Sequence, residues 1–335
     1  MVEEFDLTNR EKLILKELSA YSRTSLARLA TLANCSPAKA NKLLNRLVDK
    51  LGIRFTLEVN MDKMGFEEKH LIMVKFGKKP NESFLIDFFK NDLYSQNVYM
   101  AKGGFDLFIF AAADTSDNYI QWETNLASNL SEYLPELYPS SYVQVHLGYM
   151  PMNDNFAEFV KGIDSKDKQI LKLLNENSRI SYRDIGKKLG INEDTIRYRV
   201  FRLSKEGVIE RFTIAIQDPP GFLVTFLTRY RFNKNTVGEL FPAIRKHNQS
   251  EIETPPLINA TPLVAVLSGS SRLCVFNYGR TLDDALNFGV KWYSHLLRNN
   301  NPHITRAIIL KPVKGLLPLR NLDPKRYYKY MWNIK

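Results

Sequence analysis

One segment of this chain occurs twice. Displaced by 156 positions, Lys12, Ile14, Leu15, Lys16 and Leu18 fall on Lys168, Ile170, Leu171, Lys172 and Leu174. The same displacement lays Ser22, Arg23 and Ser25 on Ser178, Arg179 and Ser181, Arg46-Leu47 on Arg202-Leu203, and Gly65-Phe66 on Gly221-Phe222. Chance does not align so many positions at one offset. The expected organisation is a duplication, in which each half forms what the other forms.

The later copy is the more legible. Asp164 to Thr213 fits three short amphipathic helices with tight turns. Ile170, Leu171 and Leu174 lie at helical spacing in the first. Ser181 with Asp184 predicts a capping box for the second, whose buried face is Ile185 and Leu189. Gly190 ends that helix by permitting a positive φ. Asn192 caps the third helix, with Ile196, Val200 and Leu203 as its inner stripe, and Gly207 closes it. Helix, helix, short turn, helix is the helix-turn-helix order. Thr195, Arg197, Tyr198, Arg199 and Arg202 lie outside the inner stripe. A helix so decorated can enter a major groove, with arginine on phosphates or guanine edges.

The Asp-x-x-Asp opening the first helix, INEDTIRYRVFRL in the third and EGVIERFT after it resemble the Lrp/AsnC family of prokaryotic transcription regulators. That resemblance implies an N-terminal helix-turn-helix joined to a βαββαβ ligand-sensing unit. Helix 192–206 is then the reading helix, with Thr195, Tyr198 and Arg202 nearest the bases and Arg197 and Arg199 on phosphates.

In the earlier copy, Thr8 with Glu11 predicts a capping box, Ser36 an N-cap, and Pro37 the first helical position. Ala40, Leu44 and Leu47 form the inner stripe of helix 36–50, while Lys39, Lys42, Asn45 and Arg46 point elsewhere. Lys39, Lys42 and Arg46 are its candidate DNA contacts. Asn41 and Leu43 stand where the later copy has Arg197 and Arg199, so two reading-helix arginines are missing.

Residues 68–150 alternate strand-like and helix-like stretches in the order βαββαβ, the ferredoxin-like pattern. Gly103-Gly104-Phe105-Asp106 resembles the Gly-x-x-Asp turn of the family's sensor unit, near which effectors, often amino acids, bind. Its glycines suit a tight hairpin, and Asp106 can bond turn amides. The later copy reads Gly269-Ser270-Ser271-Arg272 at this turn, so Arg replaces the Asp. Residues 61–160 carry seven basic against fourteen acidic side chains, and residues 218–335 seventeen against seven. One unit is acidic and its copy basic, which suggests a pseudo-dimer, within one chain or across two, chosen by complementary charge.

The whole chain has a net charge of +11, which favours an acidic partner such as nucleic acid. Cys35 and Cys274 are its two cysteines, giving neither a disulfide framework nor a zinc spacing, so a reducing cytoplasm is the expected compartment. MVEEFDLTNREK has neither the basic start nor the apolar run of a signal peptide, and no stretch has the length of a membrane span. No phosphate-cradling glycine loop occurs, and His70, His146, His247, His295 and His303 show no catalytic or metal-binding spacing. No cofactor, no metal site and no enzyme activity are expected. Sirohaem decarboxylases share the architecture, some as fused tandems of this length. Their strands carry a His-Asn-Tyr-x-Arg pattern, whereas the matching stretches here, VYMAKGGFDLFIF and VAVLSGSSRLCVF, contain no histidine. A third class is an adaptor that keeps the helices for dimerisation.

The reading is an α+β chain in which two winged-helix-like helix-turn-helix domains alternate with two ferredoxin-like sensor domains. The expected boundaries are 1–60, 61–150, a linker at 151–161, 162–217, and 218–335 with a basic, aromatic tail. The expected partners are double-stranded DNA, an amino-acid effector, and a second copy unless the pseudo-dimer forms within the chain.

Overall fold

Apolar residues at helical spacing collect in one part of the molecule, and apolar runs of strand length in another. The computed structural model describes residues 7–147, 150–159, 162–217, 224–231, 260–267, 273–279, 281, 283 and 303–317. Its elements are α1 (Asn9–Ala20), α2 (Leu26–Leu32), α3 (Pro37–Leu51), β1 (Ile53–Val59), β2 (Glu68–Phe76), α4 (Glu82–Lys90), β3 (Ser95–Gly103), β4 (Leu107–Ala113), α5 (Ser116–Asn129) and β5 (Pro135–Leu147). They continue with α6 (Ser165–Glu176), α7 (Tyr182–Leu189), α8 (Glu193–Lys205), β6 (Ile209–Ile216), β7 (Val224–Arg231), β8 (Ala260–Leu267), β9 (Leu273–Gly279) and β10 (His303–Lys314). The architecture is α+β.

Helix ends follow local chemistry. The Thr8 hydroxyl accepts from the Glu11 N–H while the Glu11 carboxylate accepts from Thr8, a complete capping box. Ser181 accepts from the Asp184 N–H, but the Asp184 carboxylate takes the Ser181 hydroxyl rather than its backbone, so that box is half formed. Gly190 caps α7 at φ 65°, a conformation costly for a residue with a Cβ. Ile14, Leu15, Leu18, Leu29, Leu44 and Leu47 of the first trio and Ile170, Leu171, Leu174, Ile185, Ile196, Val200 and Leu203 of the second are buried in one continuous core. Each such side chain contributes about 1.5–3 kcal/mol by leaving water.

The two helical trios are joined by the antiparallel pair β1–β6, and across it each copy's first helix packs on the other copy's strand. In the register, Thr56 faces Thr213, flanked by Phe55–Ile214 and Leu57–Phe212. A local pseudo-two-fold therefore passes between the two threonines. Side chains repeat it. The Ser22 and Ser178 hydroxyls lie 2.6 Å apart, buried. Arg23 donates to the Ser178 and Ile180 carbonyls at 2.6 and 3.0 Å, and Arg179 returns the contact to the Ser22 and Thr24 carbonyls. Arg23 also covers the Tyr182 ring at 4.4 Å, and Arg179 the Phe55 ring at 5.3 Å. Burial and the neighbouring Arg23 charge push the Arg179 guanidinium below its ordinary range.

The remaining strands close an antiparallel barrel in the order β10-β3-β4-β2-β5-β8-β9-β7. Half of it, β5-β2-β4-β3, comes from the first half of the chain with the ferredoxin-like strand order, and β10-β7-β9-β8 repeats that order in the second. The halves meet at β3–β10 and β5–β8 within one chain, which closes the barrel so that none of its described strands is an edge. Tyr99, Phe108 and Phe276 fill the interior with ring centroids 5.6–5.8 Å apart. α4 and α5 cover the outer face through Leu85, Phe89, Trp122 and Leu126. β4 is thus buried on both sides, and its run LFIFAAA has no polar alternation for that reason. Across the halves, Lys311 pairs with Glu82 and Lys314 donates to the Asp92 backbone carbonyl.

Within the expected linker, 151–161, Met152, Phe156 and Ala157 are buried, and Phe156–Phe159 is a 3-10 turn. β5 begins at Pro135, where Leu134 in the left-handed region redirects the chain into the ladder with β2. The turn at 269–272 and the basic, aromatic tail from 318 on lie outside the described residues.

Candidate nucleic-acid interface

α8 is fixed from beneath and open above. Ile196, Val200 and Leu203 are buried, and the Asn192 carboxamide oxygen accepts from the Asp194 N–H at the helix start. On the outer face, Thr195 and Arg197 are exposed, and Tyr198 and Phe201 are 65% and 64% exposed. Arg197 is tethered by an exposed pair with Glu193 one turn back, at 3.2 Å. Such pairs hold about 0.3–0.5 kcal/mol and release readily to a phosphate.

Arg199 and Arg202 are placed differently from the other three. Arg199 Nη1 lies 2.6 Å from Asp164 and 2.9 Å from Asp167, and Arg202 pairs with Asp167. The Asp167 side chain is fully buried. These arginines, expected on phosphate (Arg199) and nearest the bases (Arg202), tie α8 to the acidic first turn of α6. A buried carboxylate needs a cation more strongly than a helix surface needs a free one. The Arg199 hydrogen bond, with the Asp167 N–H, holds the Asp164 carboxyl below its ordinary range, and Asp164 and Asp167 raise the Arg199 guanidinium. The Asp-x-x-Asp spacing was visible in the sequence as a family signature, without its pairing being legible.

The earlier trio repeats the frame. Arg46 Nη1 meets the buried Glu11 carboxylate at 2.9 Å, at the positions equivalent to Arg202 and Asp167. Arg46 is therefore also a frame residue. Lys39, Lys42 and Asn45 stay exposed on α3. Phe201 lies within INEDTIRYRVFRL but was not among the residues the sequence singled out. Its sole signal was an apolar side chain off the inner stripe.

The candidate effector turn is built around close approach. Gly103 has φ 134°, and a Cβ there would stand 2.8 Å from the Arg306 carbonyl oxygen of β10. The Gly104 N–H donates to that same oxygen at 2.8 Å. Asp106 does not bond the turn amides. Buried, it accepts from the Phe76 N–H at 3.1 Å and pairs with Lys75 and Lys79, each at 3.1 Å. Burial opposes its ionisation, but the Phe76 N–H and the two lysines outweigh it and hold its carboxyl below the ordinary range.

Among the histidines, His70 is buried, stacks on Tyr119 at 3.7 Å and lies 2.7 Å from Glu68, whose second oxygen takes the Ser116 hydroxyl. The Ser116 and His70 contacts hold Glu68 below its ordinary range. Among the described residues no group of His, Cys, Asp and Glu is arranged to hold a metal ion, and no helix is long and apolar enough to cross a membrane.

Residues 163–210 match the family model for winged helix-turn-helix DNA-binding segments. Over 54 residues, 16% of this chain, it is 48% identical to the HTH-type transcriptional regulator Ptr1 of Methanocaldococcus jannaschii and 46% identical to the HTH-type transcriptional regulator LrpA of Pyrococcus horikoshii. These alignments span 36% and 38% of the relatives' own lengths. A longer one, 31% identical over 91 residues, covers 27% of this chain and 62% of an uncharacterized HTH-type regulator of Pyrococcus furiosus. The overall fold is similar to the crystal structure of the siroheme decarboxylase NirDL, with a TM-score of 0.58 at 10% identity, over 97% of this chain and 99% of that one. The expectation of no enzyme activity is corrected by this match, because a fold shared along the whole chain with an enzyme removes architecture as a ground for excluding catalysis. Local similarity to DNA-binding regulators at 163–210 thus sits inside a chain whose fold is that of a known decarboxylase.

Proposed function

We propose that the chain is a sequence-specific, double-stranded-DNA-binding transcription regulator of Lrp/AsnC type, formed by tandem duplication. The carrying observation is the exposed face of α8, with Thr195, Arg197, Tyr198 and Phe201, on the segment similar to winged helix-turn-helix regulators. Arg197 anchors on phosphate, while Thr195, Tyr198 and Phe201 meet base edges and thymine methyl groups. Arg199 and Arg202 orient the helix through Asp164 and Asp167. In the earlier copy Lys39 and Lys42 meet the backbone and Arg46 frames α3. The functional units are 1–60 and 162–217 as DNA-binding units, and 61–150 and 218–335 as sensor units. One cytoplasmic chain supplies both reading helices, so its operator is asymmetric, since operator palindromy mirrors protein symmetry.

An amino acid is the proposed effector, bound beside Gly103 and Gly104. Asp106 is already held by Phe76, Lys75 and Lys79, which leaves the Arg306 guanidinium as the carboxylate partner. Its Nη2 is buried with no hydrogen-bond partner among the described residues, which supports that role. Selection of bound genomic fragments, with and without amino acids, tests both parts. Recovery of one enriched asymmetric motif is expected, and binding of no duplex at modest salt would sink the reading.

A second reading is favoured by the whole-chain fold alone: decarboxylation of sirohaem or a related tetrapyrrole. Anaerobic incubation with sirohaem, followed by absorbance and mass analysis, separates it from the first. Loss of carbon dioxide from the tetrapyrrole establishes it.

A further inference from the structure

A cavity of about 410 Å3 lies where the helical layer meets the barrel, away from the exposed faces of α3 and α8. Arg54 of β1, Gln217 just beyond β6, the connection at 152–155, Lys90 at the end of α4 and residues 312–316 line it. It sits at the far end of the β3–β10 seam from the Gly103–Gly104 turn, since Lys314 pairs with Val98 while Ala307 pairs with Gly103. Its ionisable lining is three cations, Arg54, Lys90 and Lys314, against one carboxylate, Asp154. Arg54 and Asp154 pair with one another, so two ammonium groups stand in excess.

The two lysines are unlike. Lys90 is exposed at the rim, whereas Lys314 donates to the Asp92 carbonyl and burial pushes its ammonium below the ordinary lysine range, against the opposing pull of Asp92. An ammonium partly withdrawn from solvent regains stabilisation from an anion placed beside it. Asn155 and Gln217 add neutral hydrogen-bonding groups to the lining. A concave site of this size with few convergent polar groups suits a small molecule rather than a macromolecule.

We propose that this cavity binds a small polyanion, either a di- or tricarboxylate or a phosphate-bearing metabolite, with Lys314 and Lys90 as its cationic contacts. The site is wired to the helical layer. Asp154 accepts from Arg54 and, at 3.1 Å, from Asn175 of α6. The buried Asn175 carboxamide oxygen in turn accepts from the Thr56 hydroxyl at 2.7 Å, on the pseudo-two-fold. A polyanion that draws Arg54 from Asp154 therefore reaches the seam between the two trios through two hydrogen bonds.

Isothermal titration of the full chain at low ionic strength, with citrate and with pyrophosphate as separate probes, tests the site. Saturable binding of at least one probe is expected. Citrate alone identifies the carboxylate class, and pyrophosphate alone the phosphate class. Lys90→Ala and Lys314→Met should each weaken it roughly tenfold, the loss of one charge-assisted hydrogen bond. Because Lys90 is exposed, its variant tests the site even where Lys314→Met perturbs folding, which circular dichroism monitors. Absence of binding at millimolar probe, or binding unchanged in Lys90→Ala and in a folded Lys314→Met, overturns the proposal.

Discussion

The two helical trios share one frame and differ in the surface laid over it. In each, a buried acid on the first helix holds an arginine from the third: Glu11 with Arg46, and Asp167 with Arg202. On that frame α3 presents Lys39, Lys42 and Asn45, whereas α8 presents Thr195, Tyr198 and Phe201 beside an Arg197 already paired with Glu193. The later copy also adds Arg199 to the acid cluster, where the earlier has Leu43. On the proposed reading, the arginine common to both trios orients the helix, and the positions that differ are the candidate readers.

The largest expected effect tests the frame. Arg46→Met leaves the buried Glu11 carboxylate with the Thr8 backbone and hydroxyl as its remaining partners among the described residues, and should cost about 3 kcal/mol. Arg202→Met leaves Asp167 its second guanidinium, Arg199, and should cost roughly half as much, about 1.5 kcal/mol. Urea denaturation of both variants compares them. Equal losses would break the claim that the later copy is doubly paired.

The next effect separates the surfaces. Tyr198→Ala and Phe201→Ala should each cost about 1–3 kcal/mol on the preferred duplex and relax sequence preference at neighbouring positions. Their salt dependence should stay that of the unaltered chain. Lys39→Ala and Lys42→Ala should do the reverse, weakening all duplexes alike and flattening the salt slope by roughly 0.9 per lost phosphate contact. Binding titrations across a salt series read both. If the α3 lysines change preference and the α8 aromatics change the slope, the assignment of the two surfaces is inverted.

What was legible in the sequence follows from the range of the interactions. Caps, inner stripes and turn glycines act over a few residues, so Thr8, Ser36, Asn192 and Gly190 could be read directly. The strand order of each half followed from periodicity and family resemblance. The destination of Arg199 and Arg202 could not be read, because an exposed arginine and one reaching a buried acid 32 or 35 residues away look alike along a helix. The barrel seams were equally hidden: the Gly103 turn reads as a hairpin, and only the approach of β10 shows why a Cβ is excluded.

The smallest effect concerns acid. Asp164 of the later copy titrates, and its equivalent Thr8 does not. The Arg199 hydrogen bond holds Asp164 below its ordinary pKa in the folded state, so the unfolded chain takes up its proton first as pH falls. The sign follows: the contribution is present above the ordinary carboxylate range and is lost as pH drops through the depressed folded value. Because the Asp164 side chain is half-exposed, screening limits the contribution to under about 1 kcal/mol, and added salt should shrink it further. Asp164→Thr, which gives the later copy the earlier copy's cap, should remove that part of the acid dependence while retaining an N-cap. Denaturation midpoints of the two proteins between neutral and acid pH should converge as pH falls. A constant gap would show that Asp164 serves as a cap alone, and that the later copy's extra arginine stabilises the frame through Asp167.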